Sequence, residues 1–234
     1  MEPTPDLTPY FAIHHKQLVD TRRYARAVEQ ATEDERSGRL RPLARWAAGF
    51  AHELDEHHSV EDEIFFPDVR SRVPSAAAVL DGLEEDHVVV EDLLGRWTRV
   101  AADLADAKVP FAPAKAAALD VATGLRDLLD RHLEVEDRDL LPLFWRHYTA
   151  SEYDALHDQA VKGGNKHGLA FTIPWYMAAQ DAEHQAMIAA RAPLPVRVLW
   201  YATRGRFARL EQAAFAGVDV DLSDLRPVVP QPAR

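Results

Sequence analysis

Two stretches separated by 75 residues carry the same potential chemistry. DEHHSVEDEIFFP from Asp55 aligns with DRHLEVEDRDLLP from Asp130, pairing His57 with His132, Glu61 with Glu136, Asp62 with Asp137 and Pro67 with Pro142. Each copy reads HxxxED, then an apolar pair and a proline. On a helix, positions i and i+4 lie one turn apart on one face, so each copy offers an imidazole and a carboxylate to a single point. In the second copy that face continues through Leu125, Leu129, Leu140 and Leu143, so His132 and Glu136 interrupt an apolar, inward-facing stripe. Polar groups in such a stripe need partners or a metal ion. Matching groups stand in AIHHKQLVD, with His14 and His15, and in EEDHVVVEDLL, with His87 and Glu91.

The elements that must position these groups are helical. Between proline and glycine breaks the chain has a 3.6-residue apolar period and no sustained two-residue alternation. The breaks predict helices from about Thr8, as N-cap, to Thr32, from about Leu40 to Ser71, from a Ser75 cap to about Ala107, and from about Ala114 to His147. Short connections make neighbours antiparallel, giving an all-α, up-down-up-down four-helix bundle over residues 8–148. Counted from the intervening turns at about 1.5 Å per residue, His15, His57 with Glu61, His87 with Glu91, and His132 with Glu136 all fall at one level of that bundle. Residues 149–220 are expected to form a helical extension packed on it, entered through the capping box TASE. Residues 1–7 are expected to be a disordered N-terminus and 221–234 a loose tail.

Six buried polar groups at one level would carry a desolvation cost of several kcal/mol without a cation, which favours a metal site over a hydrogen-bonded core. The chain has no cysteine, so thiolate sites, iron–sulfur clusters and cysteine nucleophiles are excluded and His, Asp and Glu are the available ligands. Two carboxylates and four or more imidazoles suffice for two ions; the nitrogen and oxygen mixture suits iron, with manganese as the alternative, whereas zinc takes fewer ligands. Glu61 and Glu136 are the expected bridges, because a carboxylate can hold one ion with each oxygen. With a net charge of −11 and no dense Lys/Arg cluster, nucleic acid and anionic membranes are poor partners. No signal-peptide pattern or long apolar run is present, so a cytoplasmic location is expected.

Together, HHSVEDEIFFP, RHLEVEDRDLLP, the early IHH and DHVVVED resemble the hemerythrin-like, or His-His-Glu cation-binding, family over roughly residues 8–148. The PW and PLPVRVLW elements of the extension resemble those of actinobacterial relatives. The resemblance implies ligands at His57, Glu61, His87, His132 and Glu136, plus His15 or His14 on the first helix. His15 is preferred, since Leu18 and Arg22 follow it with the family's spacing. Oxygen-carrying members have a second histidine four residues after the one on the third helix; here that position is Glu91. A carboxylate in that place makes a cluster that favours the ferric state and suits reaction with oxygen or peroxide better than reversible oxygen carriage.

The expectation is therefore a non-heme di-iron centre, oxo- or hydroxo-bridged, that reacts with O2 or H2O2 and acts as an oxidase, an oxygenase or a peroxide-decomposing enzyme on a small organic substrate. The alternative is a sensor, store or scavenger that binds O2 or NO without turnover. A metal that merely staples the bundle is the third reading. His58, Glu91 and Tyr10 are the candidates for catalysis. His58 fits a further ligand, a proton donor behind the ligands or a boundary residue. Residues 165–180 are expected to limit access to the metals.

Overall fold

The computed structural model describes residues 3–163, 167–222 and 225. Ten helices are described: α1 (Thr8–Glu29), α2 (Leu40–Val60), α3 (Phe66–Arg72), α4 (Ala77–Ala105), α5 (Phe111–Val135), α6 (Leu141–His147), α7 (Ala150–Gly163), α8 (Leu169–Ala179), α9 (Ala182–Arg191) and α10 (Leu194–Ala214). No strand occurs among the described residues. The first six make an up-down four-helix bundle, in which α2 runs on into α3 and α5 into α6. Around the bundle α1 packs on α5, α5 on α4 and α4 on α2, while α1 and α2 touch little. The extension fills that last seam: α10 lies along α2, and α8 touches both α1 and α2.

Each long repeat helix is interrupted by one wide turn of π-helix, Glu61–Phe65 in the first copy and Glu136–Leu140 in the second. The backbone N–H groups of Phe66 and Leu141 reach back five residues, to the carbonyls of Glu61 and Glu136. The cause lies in the sequence. Pro67 and Pro142 follow directly; a proline within a helix has no N–H to donate, and its ring clashes with the carbonyl four residues earlier, which a widened turn relieves. Such a turn takes about one extra residue, so successive four-residue steps stay on the inward face: Glu61, Phe65, Val69 and Glu136, Leu140, Phe144 are all buried.

The helix ends depart from expectation in detail. Leu7 takes the cap position of α1 and Thr8 is its first residue. A short turn at Pro74–Ala76, with Ala76 in the cap position, precedes α4 in place of a Ser75 cap. Residues 3–7 are packed: Pro5 and Leu7 are buried, Trp145 Nε1 donates to the Pro5 carbonyl at 3.1 Å and Ala150 N to that of Pro3 at 2.9 Å. The tail expected over 221–234 lies, apart from 221, 222 and 225, outside the described residues. TASE closes its box, with Thr149 N donating to Glu152 Oε2 at 2.8 Å.

The buried residues form two apolar clusters. One, built on Trp46, Phe50, Trp97, Leu125 and Tyr24, includes Trp175 and Phe207 of the extension. The other, built on Phe65, Phe66, Leu80, Phe144 and Tyr153, holds the N-terminal segment and α7. Between them lies a layer of buried His14, His58, Glu61, His87, His132 and Glu136. A buried leucine or phenylalanine in these places would stabilise the fold by about 1.5–3 kcal/mol, so the layer gives up packing energy for another purpose. No described helix is long and apolar enough to cross a membrane.

Candidate metal centre

The polar layer resolves into two groups that share one residue. His14, His57, Glu61 and Glu136 form one, and His58, Glu61, His87 and His132 the other; within each, one donor atom per residue lies within 4.8 Å of all the rest. Glu61 joins them, with Oε1 at 3.1 Å from His57 Nε2 and Oε2 at 3.6 Å from His87 Nε2. Glu136 Oε2 likewise stands 3.4 Å from His14 Nε2 and 3.6 Å from His132 Nε2. His87 and His132 point their Nε2 atoms at each other, 3.3 Å apart.

The second acid of each HxxxED copy orients a histidine of another helix. Asp62 Oδ1 accepts from His87 Nδ1 at 2.8 Å, and Asp137 Oδ1 from His14 Nδ1 at 2.7 Å. Each carboxylate holds the ring proton on Nδ1 and turns the Nε2 lone pair inward, the usual support of a metal-binding imidazole. His132 Nδ1 is 3.4 Å from Asp86 Oδ2 and makes no hydrogen bond. The Tyr10 hydroxyl donates to Glu61 Oε1, and its ring stands edge-on to His14 at 4.8 Å. Arg22 clamps α1 to α5 through both oxygens of Asp130, at 2.7 and 3.1 Å.

Burial dominates the protonation of this layer. It lowers His57 and His58 well below the usual imidazole range and His132 to about 3, so their free state is neutral. It raises Glu61, and it raises Glu136 well above the carboxylate range, with the charge of Glu61 adding to the effect. The Tyr10 phenol is also raised, by burial and then by Glu61 and Glu136. Neutral imidazoles are ready to ligate, whereas the two glutamates need a cation to ionise comfortably.

The fit to metal can be tested on unpartnered atoms. His14, His57 and His58 Nε2, Glu61 Oε2 and both oxygens of Glu136 are buried without a hydrogen-bond partner. All belong to the two groups and all are metal-donor atoms. One shared buried cation pair would satisfy the whole set.

His57, Glu61, His87, His132 and Glu136 thus come together as expected from the sequence, and His58 joins them. Two expectations meet a different placement. On α1 it is His14, 1% exposed, that enters the layer; His15 is only half-buried and stands in neither group. The inward residues of α1 run Tyr10, His14, Gln17, Thr21, Tyr24, in steps of three and four, and that register was the available signal. Glu91 is exposed and lies in neither group. Two four-residue steps, from Leu83 through His87 to Glu91, turn roughly 80° off the stripe in a regular helix, and Val90 takes the inward place. A fifth imidazole in the layer is that of His58, where the sequence had suggested the Glu91 carboxylate. Of the remaining histidines, His52 bonds the His167 carbonyl at 2.8 Å and His184 bonds Asp181 at the start of α9.

The bundle and its paired clusters define a metal-binding helical protein of the carboxylate and imidazole type. A family model for the hemerythrin HHE cation-binding domain matches residues 7–144, and the chain belongs to that family. No curated protein and no solved structure matches it.

Proposed function

We propose that the two groups would hold a pair of iron ions, with His14, His57 and Glu136 serving one, His58, His87 and His132 the other and Glu61 standing in both donor sets, and that the centre reacts with O2 or hydrogen peroxide. The observation that carries this reading is the sharing of Glu61 between two compact donor sets buried in one layer. Bound iron would supply the electrons and the open coordination positions that oxygen chemistry needs. The chain's own part is to orient and to protect. Asp62 and Asp137 fix the tautomers of His87 and His14, Phe66 stacks on His87 at 5.5 Å, and the two apolar clusters keep bulk water away. Tyr10 holds a proton at a Glu61 oxygen, where an oxygen molecule being reduced would need one. Such an enclosure suits small molecules.

A second reading, reversible binding of O2 or NO, is favoured by a specific observation: the histidines in the layer are five and Glu91 points to solvent. The two are separated by metal analysis with optical spectra of the reduced protein before and after O2 and peroxide. Turnover, with a ferric product that forms and is re-reduced, supports the first; a long-lived adduct released by lowering the gas pressure supports the second. Fewer than two iron or manganese ions per chain would defeat both.

A further inference from the structure

The two halves of the bundle differ at one seam. Matching His14 to His87 and His57 to His132 superposes α1 on α4 and α2 on α5. The α4–α5 seam is closed by direct packing, whereas α8 occupies the α1–α2 seam. One helical turn from the His14 and His57 rings, which lie 5.4 Å apart, that seam receives Gln17 from α1 and Glu53 from α2. By rise per residue the two differ in level by only about 1.5 Å. Thr172 of α8 faces Glu53 without closing a hydrogen bond.

Each carries a buried polar atom without a hydrogen-bond partner of ordinary geometry. Gln17 is 0% exposed with neither amide atom partnered, Glu53 is 7% exposed with Oε2 unpartnered, and the buried Thr172 hydroxyl has no partner. None is a donor in the two metal groups. Nor does packing ask for polarity here, because the matching residues of the other half are Val90 and Leu128, both buried. Four unpaired buried polar atoms are costly, and the molecule that can both donate to and accept from this set is water.

We propose that Gln17, Glu53 and Thr172 enclose an internal water site through which Glu53 supplies protons to the His14 and His57 side of the metal centre. Burial holds the Glu53 carboxyl up at about 8, with the Glu56 charge adding to the rise and Thr172 opposing it, so at neutral pH it is a neutral acid with a proton to give. Burial raises the Tyr176 phenol of α8 to about 12, with the charges of Glu53 and exposed Asp6 adding to the rise. The Glu53 proton passes to the adjoining water as that water hands one of its own onward, and solvent restores the carboxyl; no electron moves. The extension thereby acquires a role: it completes the chamber and closes it. The purpose of the protons rests on the oxygen or peroxide reading given above.

Two readouts test this. In metal-free full-length protein near pH 7, the infrared difference between wild type and Glu53→Gln should contain the carbonyl band of a protonated carboxylic acid, shifted in D2O and moved again by Gln17→Leu or Thr172→Val. An ionised Glu53, or a band that D2O and both neighbours leave in place, overturns the water site. In iron-loaded protein, Glu53→Gln should slow the peroxide reaction by about a hundredfold and alter its solvent isotope effect at unchanged iron content and helicity, with partial recovery in Glu53→Asp. An unchanged rate and isotope effect overturn the proton role. Wild-type protein inert to both O2 and peroxide defeats the reading of the metal centre and the proton role with it, while the infrared result still decides the water site.

Discussion

The two copies of HxxxED build the same scaffold with different furniture. Both carry a wide turn at the glutamate, an orienting aspartate and a proline just past the turn. Around that shared frame the first half places Tyr10, Gln17, Glu53 and His58, where the second has Leu83, Val90, Leu128 and Leu133; all eight are buried. The second half is therefore a plain ligand half: imidazole and carboxylate set in hydrocarbon. The first adds a phenol on the shared carboxylate, a fifth imidazole and an acid within an unpaired polar seam. The lesson is a division of labour, in which duplication supplies metal geometry and departures from it supply proton chemistry.

That comparison can be broken most severely at the carboxylates. Glu61 stands in both donor groups and Glu136 in one, so Glu61→Gln is expected to abolish binding of both ions, and Glu136→Gln to cost mainly one, read as metal per chain by elemental analysis. Next, His58→Leu makes the first copy like the second at this position. It should cost the ion held with His87 and His132, and retention of two tightly held ions would show that His58 only backs the ligands. Smaller and more symmetrical effects are expected from the orienting acids: Asp62→Asn and Asp137→Asn should each weaken metal affinity by about 10–100-fold, measured by competition with a chelator.

A fourth outcome sharpens the asymmetry without metal. Glu53 has a folded pKa near 8, above the 4.5 of the unfolded chain, so its contribution to stability is fully present below pH 4.5 and is lost as pH rises towards 8. Thermal unfolding of the metal-free protein should therefore show Glu53→Gln gaining on wild type across that window, by about 2–5 kcal/mol at its upper end. Parallel pH profiles for the two proteins would refute a neutral buried Glu53. The smallest effects belong to His15→Ala and Glu91→Ala, which should leave metal content unchanged and alter stability by less than about 0.5 kcal/mol.

Much of this was legible in the residues. The four long helices, their order and the meeting of His57, Glu61, His87, His132 and Glu136 follow from period, breaks and the 75-residue repeat. The neighbours were harder. His14 and His15 are adjacent, and choosing between them requires the rotation of α1, which Tyr10, Gln17, Thr21 and Tyr24 fix only when read as a stripe. Glu91 matches the i+4 rule and still misses, because it follows a second four-residue step after Leu83 and His87, which leaves the inward face of a regular helix to Val90. The part played by Asp62 and Asp137 became readable only with their partners on α4 and α1 in place.

By itself the sequence determined the local matters: roughly where the long helices run, that each repeat sets an imidazole and a carboxylate one turn apart ahead of a proline, and that metal chemistry would rest on nitrogen and oxygen ligands. These depend on neighbours a few residues apart and on composition. Only the tertiary structure decided which donor group each histidine joins and that α8 enters the α1–α2 seam, bringing Thr172 to Glu53. Those outcomes turn on the rotation of whole helices and on the packing of segments more than 100 residues apart, which no local spacing encodes.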